Sequence, residues 1–127
     1  MKPSDIAKIL LVDDDQNIRF VAQVSLEGLT KWHIILAESG AEAVKKAIAE
    51  KPDVIVLDMM MPGMDGPTTF AKLREQPGFA SVPIIFMTAK VQTQEVQSYL
   101  ELGAAGVITK PFDPMKLPED ICRIVNG

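Results

Sequence analysis

The stretch VIVLDMMMPGMDG, residues 54 to 66, joins an apolar run to a loop, with an aspartate at the junction. The run from Val54 to Leu57 is entirely aliphatic and lacks polar alternation, which is typical of a strand buried on both faces. Asp58 follows at once, and the proline and glycines after it indicate a loop. The stretch therefore predicts a buried strand that ends in a carboxylate.

Similar apolar runs lie on both sides of this one along the chain. They are Ile9 to Val12, His33 to Ala37, Ile84 to Met87 and Gly106 to Thr109. Segments with helical apolar spacing separate them, marked by Ile18, Val21, Ala22 and Leu26; Ala41, Val44, Ala47 and Ile48; Phe70 and Leu73; Val96 and Leu100; and Leu117, Ile121, Ile124 and Val125. The predicted order is a strand followed by a helix, five times over.

This alternation predicts a parallel sheet covered on both faces, because right-handed crossovers place helices on each side. Ten elements in 127 residues leave short connections, so we expect one domain over residues 1–127. The fold class that suits this length is α/β, a doubly wound five-stranded parallel sheet of order 2-1-3-4-5, flavodoxin-like (βα)5. Ligands of such sheets bind at the carboxyl ends of the strands, beside the switch point.

Composition excludes several classes of protein. The 47% hydrophobic and 24% charged residues are typical of an ordinary globular domain. The chain has 13 Lys and Arg against 17 Asp and Glu and no basic run, so direct nucleic-acid binding is not expected. The apolar run near the N-terminus is too short for a signal sequence or a membrane span. The single cysteine, Cys122, is predicted to be a buried apolar residue, and it fits a reducing cytoplasm.

Polar residues follow four of the predicted strands. They are Asp13, Asp14 and Asp15 after the first, Asp58 after the third, Thr88 after the fourth and Lys110 after the fifth. Because the first and third strands are neighbours in the proposed order, the acidic cluster and Asp58 should meet at one edge. Crowded carboxylates repel one another, and either protonation or a hard divalent cation relieves that repulsion. Mg²⁺ is the expected occupant.

These residue types suit phosphoryl transfer. Asp58 can act as a nucleophile and form an aspartyl phosphate, provided that a metal ion and a cation such as Lys110 neutralise the developing charge. One of the three aspartates is predicted to cap the first helix, and Asp15 is assigned a structural or merely exposed role. Thr88 is the weaker candidate, because a threonine at a strand end more often satisfies a backbone group. The Lys110-Pro111 bond could be cis or trans.

The motifs together resemble response-regulator receiver domains over nearly the whole chain. The tags are Ile9 to Asp15, Leu57 to Gly66 with its D-x-x-M-P-x-x-x-G pattern, Met87-Thr88-Ala89 and Lys110-Pro111-Phe112. The resemblance implies that Mg²⁺ is bound by Asp13, Asp14, Asp58 and the backbone carbonyl of Met60. It also implies that Asp58 accepts the phosphoryl group, which Thr88 and Lys110 contact.

The resemblance further implies partners. The donor would be a phosphohistidine on a sensor histidine kinase or phosphotransfer protein that docks near the first helix. The signal would then pass to a downstream protein target or an output domain. We expect a monomer or a weak phosphorylation-dependent dimer in the cytoplasm. Val107 stands where many members carry Tyr or Phe, so we expect the surface of the fourth helix, fifth strand and fifth helix to shift by backbone and loop movement.

Two other functions compete with this prediction. A phosphatase with an aspartate nucleophile of the dehalogenase type would want a second aspartate where this chain has Met60. A degenerate receiver would keep the fold and serve only as a protein-interaction module, but the intact set of acids, Thr88 and Lys110 argues against it. The sequence thus predicts a signalling module and not an enzyme. It leaves open the cognate kinase, the output, the phosphoryl lifetime and whether the chain is part of a longer protein.

Overall fold

The computed structural model describes residues 5–89 and 92–126, so both ends of the predicted domain, residues 1 and 127, lie outside the described residues. The strands are β1 (Lys8–Val12), β2 (His33–Ala37), β3 (Val54–Asp58), β4 (Ile84–Thr88) and β5 (Gly106–Thr109). The helices are α1 (Gln16–Leu29), α2 (Gly40–Glu50), α3 (Gly66–Glu75), α4 (Thr93–Glu101) and α5 (Leu117–Asn126). The predicted alternation of strands and helices is confirmed.

All strand pairs are parallel and the order is β2-β1-β3-β4-β5, which confirms the predicted doubly wound sheet. In register, Val12 of β1 lies beside Leu57 of β3. Asp58 lies beside Met87 of β4. The strand ends are therefore level, and the residues that follow them share one edge of the sheet.

Alternate strand residues point to opposite faces of the sheet and pack into two apolar layers, one on each face. Leu10, Leu57 and Phe86 pack on one side with α2 and α3 residues, whereas Leu11 and Val56 pack on the other side with α1 and α5 residues. β3 is buried along its whole length. Each such side chain contributes about 1.5–3 kcal/mol when fully buried, so the central strands are a rigid support for the polar residues at their ends.

Some helix faces differ from the predicted ones. α2 packs through Gly40, Ala43 and Ala47, and Ile48, predicted to face the core, is 49% exposed. The small residues let α2 lie close to the sheet, and that approach turns Ile48 outward. Exposed residues among the predicted apolar ones also include Ala41, Val21 and Leu100. Cys122 is half-buried and not fully buried, and burial raises the pKa of its thiol. Among the described residues, no helix is long and apolar enough to cross a membrane.

Candidate functional site

The loop after β1 is held in shape by local hydrogen bonds in which its own aspartates take part. The backbone N–H of Asp13 donates to the carbonyl of Ala37 at 3.1 Å, which continues the pairing of β1 with β2. The Asp13 carboxylate accepts from the backbone N–H of Asp15 at 2.9 Å. The Asp15 carboxylate in turn accepts from the backbone N–H of Asn17 at 2.8 Å, so Asp15 is the aspartate that caps α1, and its structural role is confirmed.

Asp58 is the last residue of β3 and is only 3% exposed. Its Oδ1 accepts from the backbone N–H of Met60 at 3.3 Å. The loop then returns to the strand end, where the backbone N–H of Gly66 donates to the carbonyl of Met59 at 3.1 Å. A Cβ on Gly66 would lie 2.7 Å from the carbonyl oxygen of Asp58, so the close return of the loop requires glycine.

The carboxylates of Asp13, Asp14 and Asp58 come together as the predicted topology requires. Each offers one oxygen atom, and these atoms all lie within 4.8 Å of one another. Asp13 and Asp58 are buried, while Asp14 is exposed. The cluster is therefore closed toward the sheet and open to solvent on the Asp14 side, an arrangement of hard oxygen atoms that suits a divalent cation which keeps part of its water shell.

Lys110 enters the same cluster from the end of β5. Its Nζ lies 2.8 Å from Oδ2 of Asp13 and 2.9 Å from Oδ1 of Asp58. The backbone N–H of Lys110 donates to the carbonyl of Thr88 at 3.0 Å, and the Lys110-Pro111 peptide bond is cis. The lysine is therefore held by both its main chain and its side chain, and it supplies a positive charge between two buried carboxylates.

The electrostatics of the cluster follow from burial and from this ion pair. Burial raises the pKa of Asp58 from 3.8 to about 6; the charge of Asp13 also raises it, while Lys110 and the Met60 N–H oppose the rise. Burial alone would lower the pKa of Lys110, but its bonds to Asp13 and Asp58 outweigh that effect and the pKa is raised. Lys110 thus stays charged, whereas the folded protein disfavours the ionised form of Asp58.

Thr88 and Met60 lie beside the acidic cluster. Thr88 is buried at the end of β4, directly after Met87, the register partner of Asp58. The Met60 side chain is 68% exposed and its backbone N–H contacts Asp58. Contact of the Thr88 hydroxyl with a phosphoryl group, and of the Met60 carbonyl with a metal ion, remain predictions.

Arg19 was not among the residues that the sequence singled out, yet it contacts the site. Its Nη1 donates to the backbone carbonyl of Asp13 at 2.7 Å. An arginine in an amphipathic helix ordinarily indicates a solvated side chain, and helical spacing alone does not show that this one turns back over the loop after β1. Only the placement of α1 against the sheet reveals the contact.

The level strand ends, the acidic cluster and the lysine define a doubly wound α/β domain with a polar site at its carboxyl edge. The family model for the response regulator receiver domain matches residues 9–122. The chain belongs to the response regulator receiver domain family, and the predicted resemblance is confirmed.

Known relatives agree in fold and in sequence. The chain is 44% identical over 94% of its length to the alkaline phosphatase synthesis transcriptional regulatory protein PhoP of Bacillus subtilis, covering 48% of that protein. It is 32% identical to the structure of the chemotaxis protein CheY4 of Vibrio cholerae, with a TM-score of 0.87, covering 94% of this chain and 98% of that one. A receiver domain of a signal transduction histidine kinase from Syntrophus aciditrophicus is 30% identical, with a TM-score of 0.80, covering 95% and 91%. The chain spans about half the length of the full-length curated regulator it matches.

The raised pKa of Asp58 predicts how stability depends on pH. The carboxyl of Asp58 titrates near pH 6 when folded and near 3.8 when unfolded, so the folded state binds its proton more tightly. Stability linked to this group is present below pH 3.8 and is lost as the pH rises through about 6. In metal-free protein, Asp58→Asn should therefore be more stable than the wild type by about 1–3 kcal/mol at pH 7.5, and the difference should shrink toward pH 4.

Urea unfolding in the presence of a chelator measures both free energies across this pH range. Asp65→Asn is the control, because hydrogen bonds from Thr68 lower the pKa of Asp65 and the predicted trend is opposite. Stability linked to Asp65 is present above its unfolded pKa and lost on acidification, so this variant should be less stable than the wild type at pH 7.5 and approach it at low pH. Parallel pH curves for the wild type and Asp58→Asn would contradict the prediction.

Proposed function

We propose that this chain is the phosphoacceptor receiver of a two-component phosphorelay, taking a phosphoryl group onto Asp58 and passing the signal on through a changed protein-binding surface. The observation that carries the proposal is the position of Lys110, whose Nζ lies 2.8 Å from Asp13 and 2.9 Å from Asp58. A structural ion pair needs one acid and one base. Here one half-buried lysine pairs with two of three clustered carboxylates, Asp13 and Asp58, and leaves the third, Asp14, exposed to solvent. This excess of negative charge is the arrangement expected where a metal cation and a phosphoryl group bind together.

The transfer follows from these contacts. A carboxylate oxygen of Asp58 attacks phosphorus, the bond from phosphorus to the donor histidine nitrogen breaks, and the nitrogen keeps the electron pair. The ammonium of Lys110 neutralises charge on the transferring group, and the hydroxyl of Thr88 donates to one of its oxygens. The backbone N–H of Met60 and the Nζ of Lys110 both donate to Oδ1 of Asp58, so the carboxylate is oriented before the donor arrives.

The residues present also fit Mg²⁺. Oδ2 of Asp13 is buried and lies 2.8 Å from Nζ of Lys110, and the neighbouring side-chain ligand atoms are carboxylate oxygens, which Mg²⁺ prefers over softer ligands. We assign Asp13, Asp14, Asp58 and the backbone carbonyl of Met60 as the residues that would hold the ion. When bound, Mg²⁺ supplies positive charge to the phosphoryl oxygens.

The donor is proposed to be a phosphohistidine on a sensor kinase or phosphotransfer protein. An apolar groove of about 410 Å³ begins beside the site, where Ile18, Val21 and Phe112 line it. A second groove of about 330 Å³ continues along α1, lined by Phe20 and Met115 among others. Exposed apolar surface that is continuous with a reactive site is typical of a protein interface, and its length along α1 suits a helix of the donor.

Phe20→Ala should weaken transfer from a protein donor without affecting a small one. Phe20 is 64% exposed, so its loss leaves the core intact but removes an aromatic anchor, which is worth about 1–3 kcal/mol, or roughly 5- to 100-fold in transfer. The measurement compares transfer from a phosphohistidine kinase that phosphorylates the wild type with phosphorylation by acetyl phosphate. Ile48→Ala on α2, also an exposed apolar residue, should leave both rates unchanged. An equal loss of rate with both donors would contradict the prediction and show that Phe20 supports the structure of the acidic site.

The output surface is proposed to be α4, β5 and α5, and the target a downstream protein or an attached output domain. α4 has no fully buried residue, and its Tyr99 packs on Phe86 of β4 with the ring centroids 5.6 Å apart. Val107 is the register partner of Phe86 on β5. Because a valine has no ring to swing, we propose that this surface responds by backbone and loop movement when phosphorylation draws Thr88 toward the site.

Incubation of the chain with acetyl phosphate and Mg²⁺ tests the proposal by mass spectrometry. The expected result is a stable gain of one phosphoryl group, which does not form when a chelator removes Mg²⁺ beforehand. Continuous release of phosphate with multiple turnovers would instead indicate a phosphatase, and no gain would indicate an interaction module. Amide spectra of α4, β5 and α5 that stay unchanged with a phosphoryl mimic would refute the proposed output surface. The single-domain bounds 1–127, a monomer or weak dimer, and a cytoplasmic location remain parts of the proposal.

A further inference from the structure

Asp13 is held at its main-chain and its side-chain polar atoms. Its N–H donates to Ala37, its Oδ1 accepts from the N–H of Asp15, and its Oδ2 pairs with Lys110. The remaining group is the backbone carbonyl, which accepts from Nη1 of Arg19 at 2.7 Å. This last bond comes from the Arg19 side chain, which makes no hydrogen bond or ion pair to Asp14 or Asp58 among the described residues.

Arg19 spans two loops at the carboxyl edge of the sheet. Its backbone N–H donates to the carbonyl of Asp15 at 3.0 Å, so it stands in the first turn of α1. Its side chain is only 16% exposed, and Nη2 lies 3.7 Å from the carboxylate of Glu38, which follows β2. A hydrogen bond from a charged guanidinium is roughly twice as strong as a neutral one. The Arg19 side chain therefore links the loop after β1, through the carbonyl of Asp13, to the loop after β2, through the carboxylate of Glu38.

We propose that Arg19 is a positioning residue of the acidic site, which orients Asp14 by holding the Asp13–Asp14 peptide; the inference rests on the proposed function. The carbonyl of Asp13 and the N–H of Asp14 belong to one planar unit, so fixing the carbonyl fixes the direction in which the chain enters Asp14. Asp14 is the exposed member of the cluster, and burial does not restrain it as it does Asp13 and Asp58. Without Arg19, this peptide can turn and carry the Asp14 carboxylate away.

A purely structural role is the competing explanation, and Arg74 provides the matched control. Arg74 also places its guanidinium on backbone carbonyls, those of Phe79 at 2.8 Å and Val82 at 2.6 Å. It also stacks on Phe70, 4.8 Å from the ring centroid. These contacts lie where α3 leads back into β4, at the amino end of the sheet. Loss of either arginine should reduce stability, but only loss of Arg19 should change the acidic site.

The test is a calorimetric titration of the full chain with MgCl₂, together with urea unfolding of the same samples. Arg19→Ala should bind Mg²⁺ about 10-fold or more weakly, because residues that orient metal ligands are typically worth this much. Arg19→Lys, which keeps a charged donor, should recover part of the affinity and provides a folded variant if the alanine form is too unstable. Arg74→Ala should bind Mg²⁺ like the wild type. In metal-free protein, the Asp14 amide resonance should shift in Arg19→Ala and not in Arg74→Ala.

Two results would overturn the inference while leaving the proposed function intact. One is equal Mg²⁺ affinity in the wild type and Arg19→Ala. The other is an equal loss of affinity in Arg19→Ala and Arg74→Ala, which would show that general destabilisation is the cause. A wild-type chain that neither binds Mg²⁺ nor gains a phosphoryl group would overturn the proposed function and the inference with it.

Discussion

Asp58→Asn should abolish phosphorylation by acetyl phosphate, with a loss of about 10⁴-fold or more, because removing a covalent nucleophile typically costs this much. An amide has nearly the same shape as a carboxylate but is a far poorer nucleophile. Asp58 is buried, and its carboxylate accepts from the Met60 N–H, a bond that an amide oxygen can also accept. The expected loss is therefore chemical, since the variant should fold and, without metal, should be the more stable protein.

Asp15→Asn is the control for this substitution. It makes the same chemical change in the same acidic region, but Asp15 caps α1 and asparagine caps equally well. This variant should gain the phosphoryl group at close to the wild-type rate. Mass spectrometry of both proteins, with peptide mapping of the modified residue, makes the comparison. A phosphoryl group that still appears on Asp58→Asn would mean that Asp13, Asp14 or another side chain is the acceptor.

The sheet and its order could be predicted because the strands carry their signal locally. Val54 to Leu57 and Ile84 to Met87 are continuous aliphatic and aromatic runs that only a doubly covered strand accommodates, and parallel pairing follows from the helices between them. The meeting of Asp13 with Asp58 then needs no knowledge of side-chain contacts. It follows from β1 and β3 being neighbours with level ends.

Contacts that depend on helix rotation could not be predicted in the same way. Apolar spacing shows that α2 has a buried face, but whether Ala43 or Ile48 lies on it depends on how closely the helix approaches the sheet. The bond from Arg19 to the carbonyl of Asp13 depends on the same quantity for α1. Such contacts join a side chain to the main chain, so no pattern of residue types in the sequence marks them.

Lys110→Ala is the second substitution with a large expected effect. The rate of phosphorylation by acetyl phosphate at saturating Mg²⁺ should fall by about 10²–10³-fold, as expected when one group that stabilises transition-state charge is removed. The raised pKa of Lys110 keeps the amine protonated near neutral pH, so the wild type presents this charge under the assay conditions. Lys46→Ala is the control, because Lys46 also pairs with an acid, Glu42, but does so on α2. It should leave the rate unchanged.

The affinity for Mg²⁺ distinguishes the two ways in which Lys110 could act. If the lysine acts on the phosphoryl group, its loss removes a competing cation from between Asp13 and Asp58, and Mg²⁺ should bind at least as tightly as in the wild type. If the lysine instead serves to hold the two carboxylates in place, rate and affinity should fall together. A large loss of rate with undiminished affinity is the predicted outcome. A parallel loss of both would reassign Lys110 as a structural support of the acids, and the phosphoryl charge would then need another partner.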